Sequence, residues 1–154
     1  MSYGVVHSGF WTDAKVRAWP DDARMLAIYF ITGPHRNILG CSRIPNGYIA
    51  EDMGWDAKRL ARALATLTDT LFIVRDDDGW TLVLNQLKHD PIKHANHLTG
   101  AIKLMRAVPT NSKVYQPTYE RLKAAAEAMG KGLDIPSPAP VDQIAAPAPS
   151  PSPS

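Results

Sequence analysis

The chain has 154 residues, a formal net charge of +2 and 45% apolar residues, enough for one ordinary domain with a real core and too few for two large ones. No run of about 18 apolar residues exists to cross a membrane as a helix, and Met1 to Phe10 lacks the basic start and apolar stretch of a secretory signal. One cysteine, Cys41, allows no internal disulfide, which fits a reducing cytoplasm.

The folded part is expected to begin near Phe10. Thr12 is the expected cap of a short helix, Asp13 to Ala18, closed by Trp19-Pro20. Pro20, Asp21 and Asp22 mark the start of a second helix, since proline and acidic residues suit a first helical turn. Met25, Leu26, Tyr29 and Phe30 recur at helical spacing there, with Ile28 and Ile31 widening the stripe. Gly33-Pro34 stops it. Ile38 to Ile44 reads as a short strand able to pair with a later hairpin.

Pro45-Asn46 opens a further helix with Tyr48, Ile49 and Met53 inward, ended by Gly54 and followed by Trp55 as an apolar plug. Asp56 then caps a longer helix. Its stripe is Leu60, Leu64 and Leu67, with Ala61 and Ala63 permitting close approach. Lys58, Arg59, Arg62 and Thr66 lie off that stripe, and 58, 62 and 66 are one turn apart. Leu71 to Arg75 and Trp80 to Leu84 read as two strands. Asp76-Asp77-Asp78-Gly79 joins them, a strong hairpin signal because the tight turn needs residues that tolerate positive φ. Helices are expected over Lys93 to Ala107, with Leu98, Ile102 and Met105 inside, and over Pro117 to Met129, where Leu122 and Ala125 make only a thin apolar face.

This order predicts a mostly α fold with a small β-hairpin: a winged helix-turn-helix plus C-terminal helices, an architecture that mostly presents one helix to the DNA major groove. Three segments follow: a domain over 1–108, an accessory helix over 109–133, and a Pro/Ala/Ser-rich tail over 134–154. Seven of the 13 prolines lie in the tail, which cannot bury enough apolar surface to offset its ordering entropy. Either a second domain follows it, or it ends the protein. Setting aside Asp134 and Asp142 leaves 17 basic and 13 acidic groups in residues 1–133, a net of +4, which permits nucleic-acid binding without demanding it.

The residues also resemble a family. Phe10-Trp11-Thr12-Asp13, the helix Arg24 to Thr32 followed by Gly33-Pro34-His35, then Gly40, Ile44, Ile49-Ala50 and Gly54 recur in order. The basic helix, Asp77-Asp78-Gly79-Trp80 and Asn85-Gln86-Leu87-Lys88-His89 continue the match, over roughly residues 10–108. In this the chain is similar to the N-terminal winged-helix domain of phage and prophage replication initiators, or replisome organisers. The resemblance implies duplex DNA binding at an origin within a bacterial host cell. In that family a C-terminal part recruits the replicative helicase or its loader; here a Pro-rich tail stands in that place.

The expected interface is the basic helix. Arg59 and Arg62 are the candidates for base edges or phosphates, because the arginine fork meets guanine O6 and N7 together. Lys58 is assigned a phosphate, and Thr66 a phosphate or thymine methyl. Arg43 and Asn46, near a helix entry, are candidates for backbone contacts, as is Arg75 on the wing. Lys88 and Lys93, with His89, His94 and His97 and with Lys103 and Arg106 beyond, form a basic cluster suited to tracking the backbone. The competing reading of three cations on a helix is an ordinary solvated face. Three aspartates at the wing tip would repel phosphates, so either the tip is held off the duplex and only Arg75 contributes, or the wing meets a protein; such a triplet is more often just a soluble turn.

His89, Asp90, His94 and His97 lack a recognised zinc-ligand spacing, so no metal and no other cofactor is expected. Cys41 has no base near it in sequence and reads as core. Trp11, Trp19, Trp55 and Trp80 read as packing residues. No phosphate-binding loop, zinc helix or nucleophile elbow is present, so no enzyme is predicted. The leading expectation is a sequence-specific double-stranded DNA-binding protein of replication initiation; the stripe Leu98, Ile102 and Met105 could serve self-association as a homo-oligomer, though packing on its own domain is the simpler account. A transcription regulator of the same fold, or a protein-binding adaptor or inhibitor of a host machine, are the alternatives.

Overall fold

Two aspartates set two of the helix starts. Asp13 accepts hydrogen bonds from the backbone N–H of Lys15 at 2.8 Å and of Val16 at 3.1 Å, and Asp56 accepts from Arg59 N–H at 2.8 Å. Each carboxylate satisfies N–H groups that a helix start leaves unpaired. Asp13, not the expected Thr12, is therefore the first of these caps. Thr12 instead ends a separate single turn and donates its hydroxyl to the Gly9 carbonyl at 3.2 Å. The computed structural model describes residues 4–86 and 90–138.

In chain order the helices are α1 (Gly9–Thr12), α2 (Ala14–Ala18), α3 (Asp21–Thr32), α4 (Asn46–Met53), α5 (Ala57–Asp69), α6 (Ala95–Met105) and α7 (Tyr115–Ala128). The strands are β1 (Cys41–Arg43), β2 (Ile73–Arg75) and β3 (Trp80–Val83). The fold among the described residues is thus mostly helical, with one small antiparallel sheet of order β1-β3-β2. Cys41 pairs with Leu82 and Arg43 with Trp80 on one side of β3; Ile73 pairs with Val83 and Arg75 with Thr81 on the other.

Alternation along these strands divides the interior in two. Ile73 and Val83 join Leu26, Phe30, Ile49, Leu60 and Leu67 in one core formed with α3, α4 and α5. Cys41 and Leu82 join Leu39, Leu98, Met105, Tyr115 and Leu122 in a second, formed with α6 and α7. The sheet is the shared wall between two helical layers.

Tertiary packing, rather than the apolar stripe alone, chose the inward faces. On α3 the buried residues are Ala23, Leu26, Ala27 and Phe30, while Met25, expected inside, is 57% exposed. The two alanines have no side chain beyond Cβ to hold a neighbouring helix away, and α3 packs mainly on α5. On α4, Ile49 is fully buried, and Tyr48, also expected inside, stands 53% exposed. Trp11 is exposed at 54%, unlike buried Trp19 and Trp55; it meets Phe10 edge-on at 5.0 Å.

The C-terminal helices are seated more deeply than their sequence suggested. α7 buries Tyr115, Thr118, Tyr119, Leu122 and Ala126, so its expected thin face is in fact a broad one built from tyrosine rings and small residues. Leu98 and Met105 are buried in the same core, so this stripe packs on its own domain, the simpler of the two accounts of it. The first residues of the expected tail are also tied down. Tyr115 Oη donates to the Pro136 carbonyl, Arg106 reaches the Asp134 carbonyl at 3.4 Å, and Tyr119 Oη meets Ser137 Oγ at 3.2 Å. The rest of the tail, 139–154, lies outside the described residues. No helix among the described residues is long and apolar enough to cross a membrane.

Candidate nucleic-acid interface

The α5 helix is strongly two-sided. Leu60, Ala63 and Leu67 are buried, and each fully buried leucine contributes about 2 kcal/mol relative to exposure. Lys58 and Arg62 lie on the exposed side, one turn apart. Neither side chain makes a hydrogen bond or ion pair among the described residues, although Arg62 acts through space on Asp22. Thr66 is half-buried, and its hydroxyl turns back to the Arg62 carbonyl at 3.3 Å.

Arg59, expected to probe a duplex, is instead clamped. Its Nε and Nη2 donate to the two carboxylate oxygens of Asp22 on α3, at 2.8 and 3.0 Å. Its guanidinium carbon sits 4.6 Å from the centre of the Trp55 ring. The bidentate hydrogen bond holds the Asp22 carboxyl below the usual range, against the opposing effect of partial desolvation, and the charges of Arg59 and Arg62 add to the lowering. The sequence reading missed Asp22 because it lies 37 residues away and reads locally as a helix-dipole partner. No local signal pairs it with Arg59.

The hairpin also departs from expectation. Arg75 is directed into the structure: Nη1 donates to the Gly79 carbonyl at 3.2 Å and to the Thr81 hydroxyl, and Nη2 donates to the Asn46 side-chain oxygen. Two assigned contacts, Arg75 and Asn46, thus satisfy one another. Asp76 organises the turn by accepting from the N–H groups of Asp78 and Trp80, both at 2.9 Å, and takes the Ser112 hydroxyl at 2.6 Å. Gly79, at φ +97°, leaves only 3.1 Å between an added Cβ and the Ile44–Pro45 backbone, so a side chain there would be both strained and crowded. The tip is a short, fastened stub on which Asp77 and Asp78 are exposed.

The remaining candidates lie elsewhere. Arg43 pairs with Trp80 and shares the pleat of Cys41, which is the sheet side that α6 and α7 cover. Lys93 is exposed ahead of α6, in the layer across the sheet from α5. Lys88 and His89 lie outside the described residues. The rings of His94 and His97 meet edge-on at 5.2 Å, and no group of three or more His, Cys, Asp or Glu residues among the described residues is arranged to hold a metal. Cys41 is buried, and burial pushes its thiol up to about 11.

Compared with family models, curated proteins and solved structures, the chain matches none.

A further group beside α4 was not legible in the sequence. Tyr29 Oη donates to Asp52 at 2.7 Å, His35 Nε2 lies 3.4 Å from the same carboxylate, and His35 stacks on exposed Tyr48. Its members come from α3, the following turn and α4, so only folding assembles them. The arrangement around α5 is therefore a narrow cationic strip, Lys58 and Arg62, bordered by the Asp22–Arg59 clamp.

Proposed function

We propose that residues 21–83 form a winged helix-turn-helix that binds double-stranded DNA through α5, without catalysis, in the initiation of phage or prophage DNA replication. The element order supports this reading: a helix, a short strand, two helices and a hairpin, with β1 added to the hairpin's open side. One observation carries it. Lys58 and Arg62 stand side by side on the open face of a helix whose opposite face is buried.

Binding would begin with these cations displacing counterions from phosphates. Arg59 would hold its fork ready beside them and exchange Asp22 for a phosphate or guanine on contact. The stub hairpin supplies no cation to the duplex, so affinity rests on α5 and on repeated sites gathering several copies. The replication role rests on the family resemblance of residues 10–108, as does recruitment of a helicase or loader. The cytoplasm of a bacterial host is the matching location.

A second reading, an adaptor or inhibitor that binds a host protein, is favoured by exposed Asp77, Asp78 and Tyr48. Duplex binding measured across salt concentrations separates the two. In the DNA reading, the double variant Lys58→Ala/Arg62→Ala weakens binding and flattens the slope of log K against log salt by about 1.8, roughly 0.9 per lost phosphate contact. An unchanged slope would remove α5 from the interface. Selection of bound sequences from random duplexes then distinguishes an origin-binding protein from a promoter-binding regulator.

A further inference from the structure

The chain reverses after α7. Gly130, at φ +70°, follows the helix, and Lys131 N–H bonds to the Ala126 carbonyl at 2.9 Å, a left-handed glycine turn that ends many helices. The returning segment is held at several points. Leu133 and Ile135 pack against the second core, and Arg106 reaches the Asp134 carbonyl at 3.4 Å.

Two tyrosines receive what comes next. Tyr115 and Tyr119 lie one turn apart on α7, their rings stacked with centroids 6.2 Å apart and planes 21° from parallel. Both are buried, and a buried phenol needs a partner for its hydroxyl. Each finds one in the returning chain. Tyr115 Oη donates to the Pro136 carbonyl, and Tyr119 Oη lies 3.2 Å from Ser137 Oγ. Desolvation, with neighbouring Tyr119 adding to it, raises the Tyr115 pKa, so its hydroxyl stays a donor.

The seated segment is Pro136-Ser137-Pro138. Prolines at alternate positions fix φ and favour the extended polyproline helix. That form has no internal hydrogen bonds, so its carbonyls are open to outside donors. Aromatic surfaces are the usual receivers of such segments. Pro136 and Ser137 remain exposed while seated. The tyrosines thus hold the triplet by a carbonyl and a hydroxyl oxygen rather than in a closed pocket, and contacts of that kind exchange.

The same triplet recurs twice further on, as Pro149-Ser150-Pro151 and Pro151-Ser152-Pro153, outside the described residues. Pro149 follows Pro136 by 13 residues, a span of at most about 45 Å. Tethering therefore keeps the distal triplets near the rings at an effective concentration of about a millimolar. The seated triplet has one advantage: Ile135, which packs on the core, precedes it, whereas Ala148 and Ser150 precede the distal ones.

From these observations we infer that Tyr115 and Tyr119 form a docking site for extended Pro-Ser-Pro segments, on which residues 149–153 of the same chain exchange with Pro136-Ser137-Pro138 as the minor occupant. The site belongs to the helical layer across the sheet from α5, and its test involves no DNA.

The test puts a nitroxide on Ser154→Cys in the full chain, with ¹³C-labelled tyrosine rings. Cys41 is buried and stays unmodified in the folded protein. In dilute solution the nitroxide should broaden the Tyr115 and Tyr119 ring signals more than those of Tyr29 and Tyr48, which belong to α3 and α4 on the other side of the sheet. Pro149→Ala/Pro151→Ala/Pro153→Ala, which leaves every described residue untouched, should remove most of that excess. Pro136→Ala/Ser137→Ala/Pro138→Ala should increase it roughly threefold to tenfold, the worth of the hydrogen bonding lost by the competing triplet. Should this last variant unfold, the distal one decides alone. Equal broadening in the parent and the distal variant would overturn the exchange, as would no increase in a folded chain without the seated triplet. Broadening seen only when nitroxide-bearing and ring-labelled copies are mixed would also overturn it, by making a second copy the occupant.

Discussion

Replacing Arg75 with methionine tests whether the hairpin's arginine belongs to the fold or to a DNA contact. Methionine keeps an apolar stem and removes the guanidinium. That group serves three acceptors, the Gly79 carbonyl, the Thr81 hydroxyl and the Asn46 side chain, and joins the hairpin to the first turn of α4. Hydrogen bonds from a charged donor are worth about 1.5–3 kcal/mol each. The sum is less here, because one nitrogen serves two acceptors and because burial opposes the charge, lowering the Arg75 pKa despite support from Asp76. Loss of the guanidinium should therefore cost about 2–4 kcal/mol, a large share of the roughly 5–15 kcal/mol that holds a domain folded. In urea unfolding the midpoint should fall with an unchanged m-value. Duplex affinity per folded molecule should stay within about twofold of wild type, since a lost DNA contact would cost more. A variant as stable as wild type that has lost most of its DNA affinity would refute this account of the hairpin.

Four further outcomes are expected. Asp22→Asn should free Arg59 and remove a negative charge beside α5, tightening duplex binding and steepening its salt dependence by up to about one contact's worth; weaker binding would mean that the clamp orients Arg59 productively. Because Arg59 depresses the Asp22 pKa, the stabilising effect of the pair is present above the unfolded carboxylate range and fades as pH falls through the lower folded value, so an NMR titration of Asp22 should place its midpoint below that of an ordinary aspartate. Leu71→Gly should raise stability by about 0.5 kcal/mol, the relief of a left-handed leucine at φ +60° exceeding the added chain entropy, as read from the thermal midpoint. Cys41, with its thiol pushed up to about 11 by burial, should resist thiol reagents in the native protein at mildly alkaline pH and react at the rate of unfolding.

Local chemistry made much of the architecture readable. Aspartate caps, Gly54 and the Asp-Gly turn place α4, α5 and the hairpin within a few residues of where they stand, because caps and turns depend on neighbours a few residues apart. The two-sidedness of α5 was likewise legible, since Leu60 and Leu67 share a face at helical spacing. Which side of α3 and α4 turned inward was not. Met25 is as apolar as its buried neighbours on α3, and the close approach that Ala23 and Ala27 allow decides which face turns inward; on α4 the packing buries Ile49 and leaves adjacent Tyr48 outside.

The cationic site shows the same division more sharply. Sequence alone determined that Lys58, Arg59, Arg62 and Thr66 lie off the buried stripe of one helix, because the helical repeat decides that much without reference to the rest of the chain. Tertiary structure alone decided which of them remain available. It brought Asp22 to Arg59, bound Arg75 to Asn46 and set Arg43 on the far side of the sheet. Those outcomes depend on contacts between residues distant along the chain, and no periodicity carries that information.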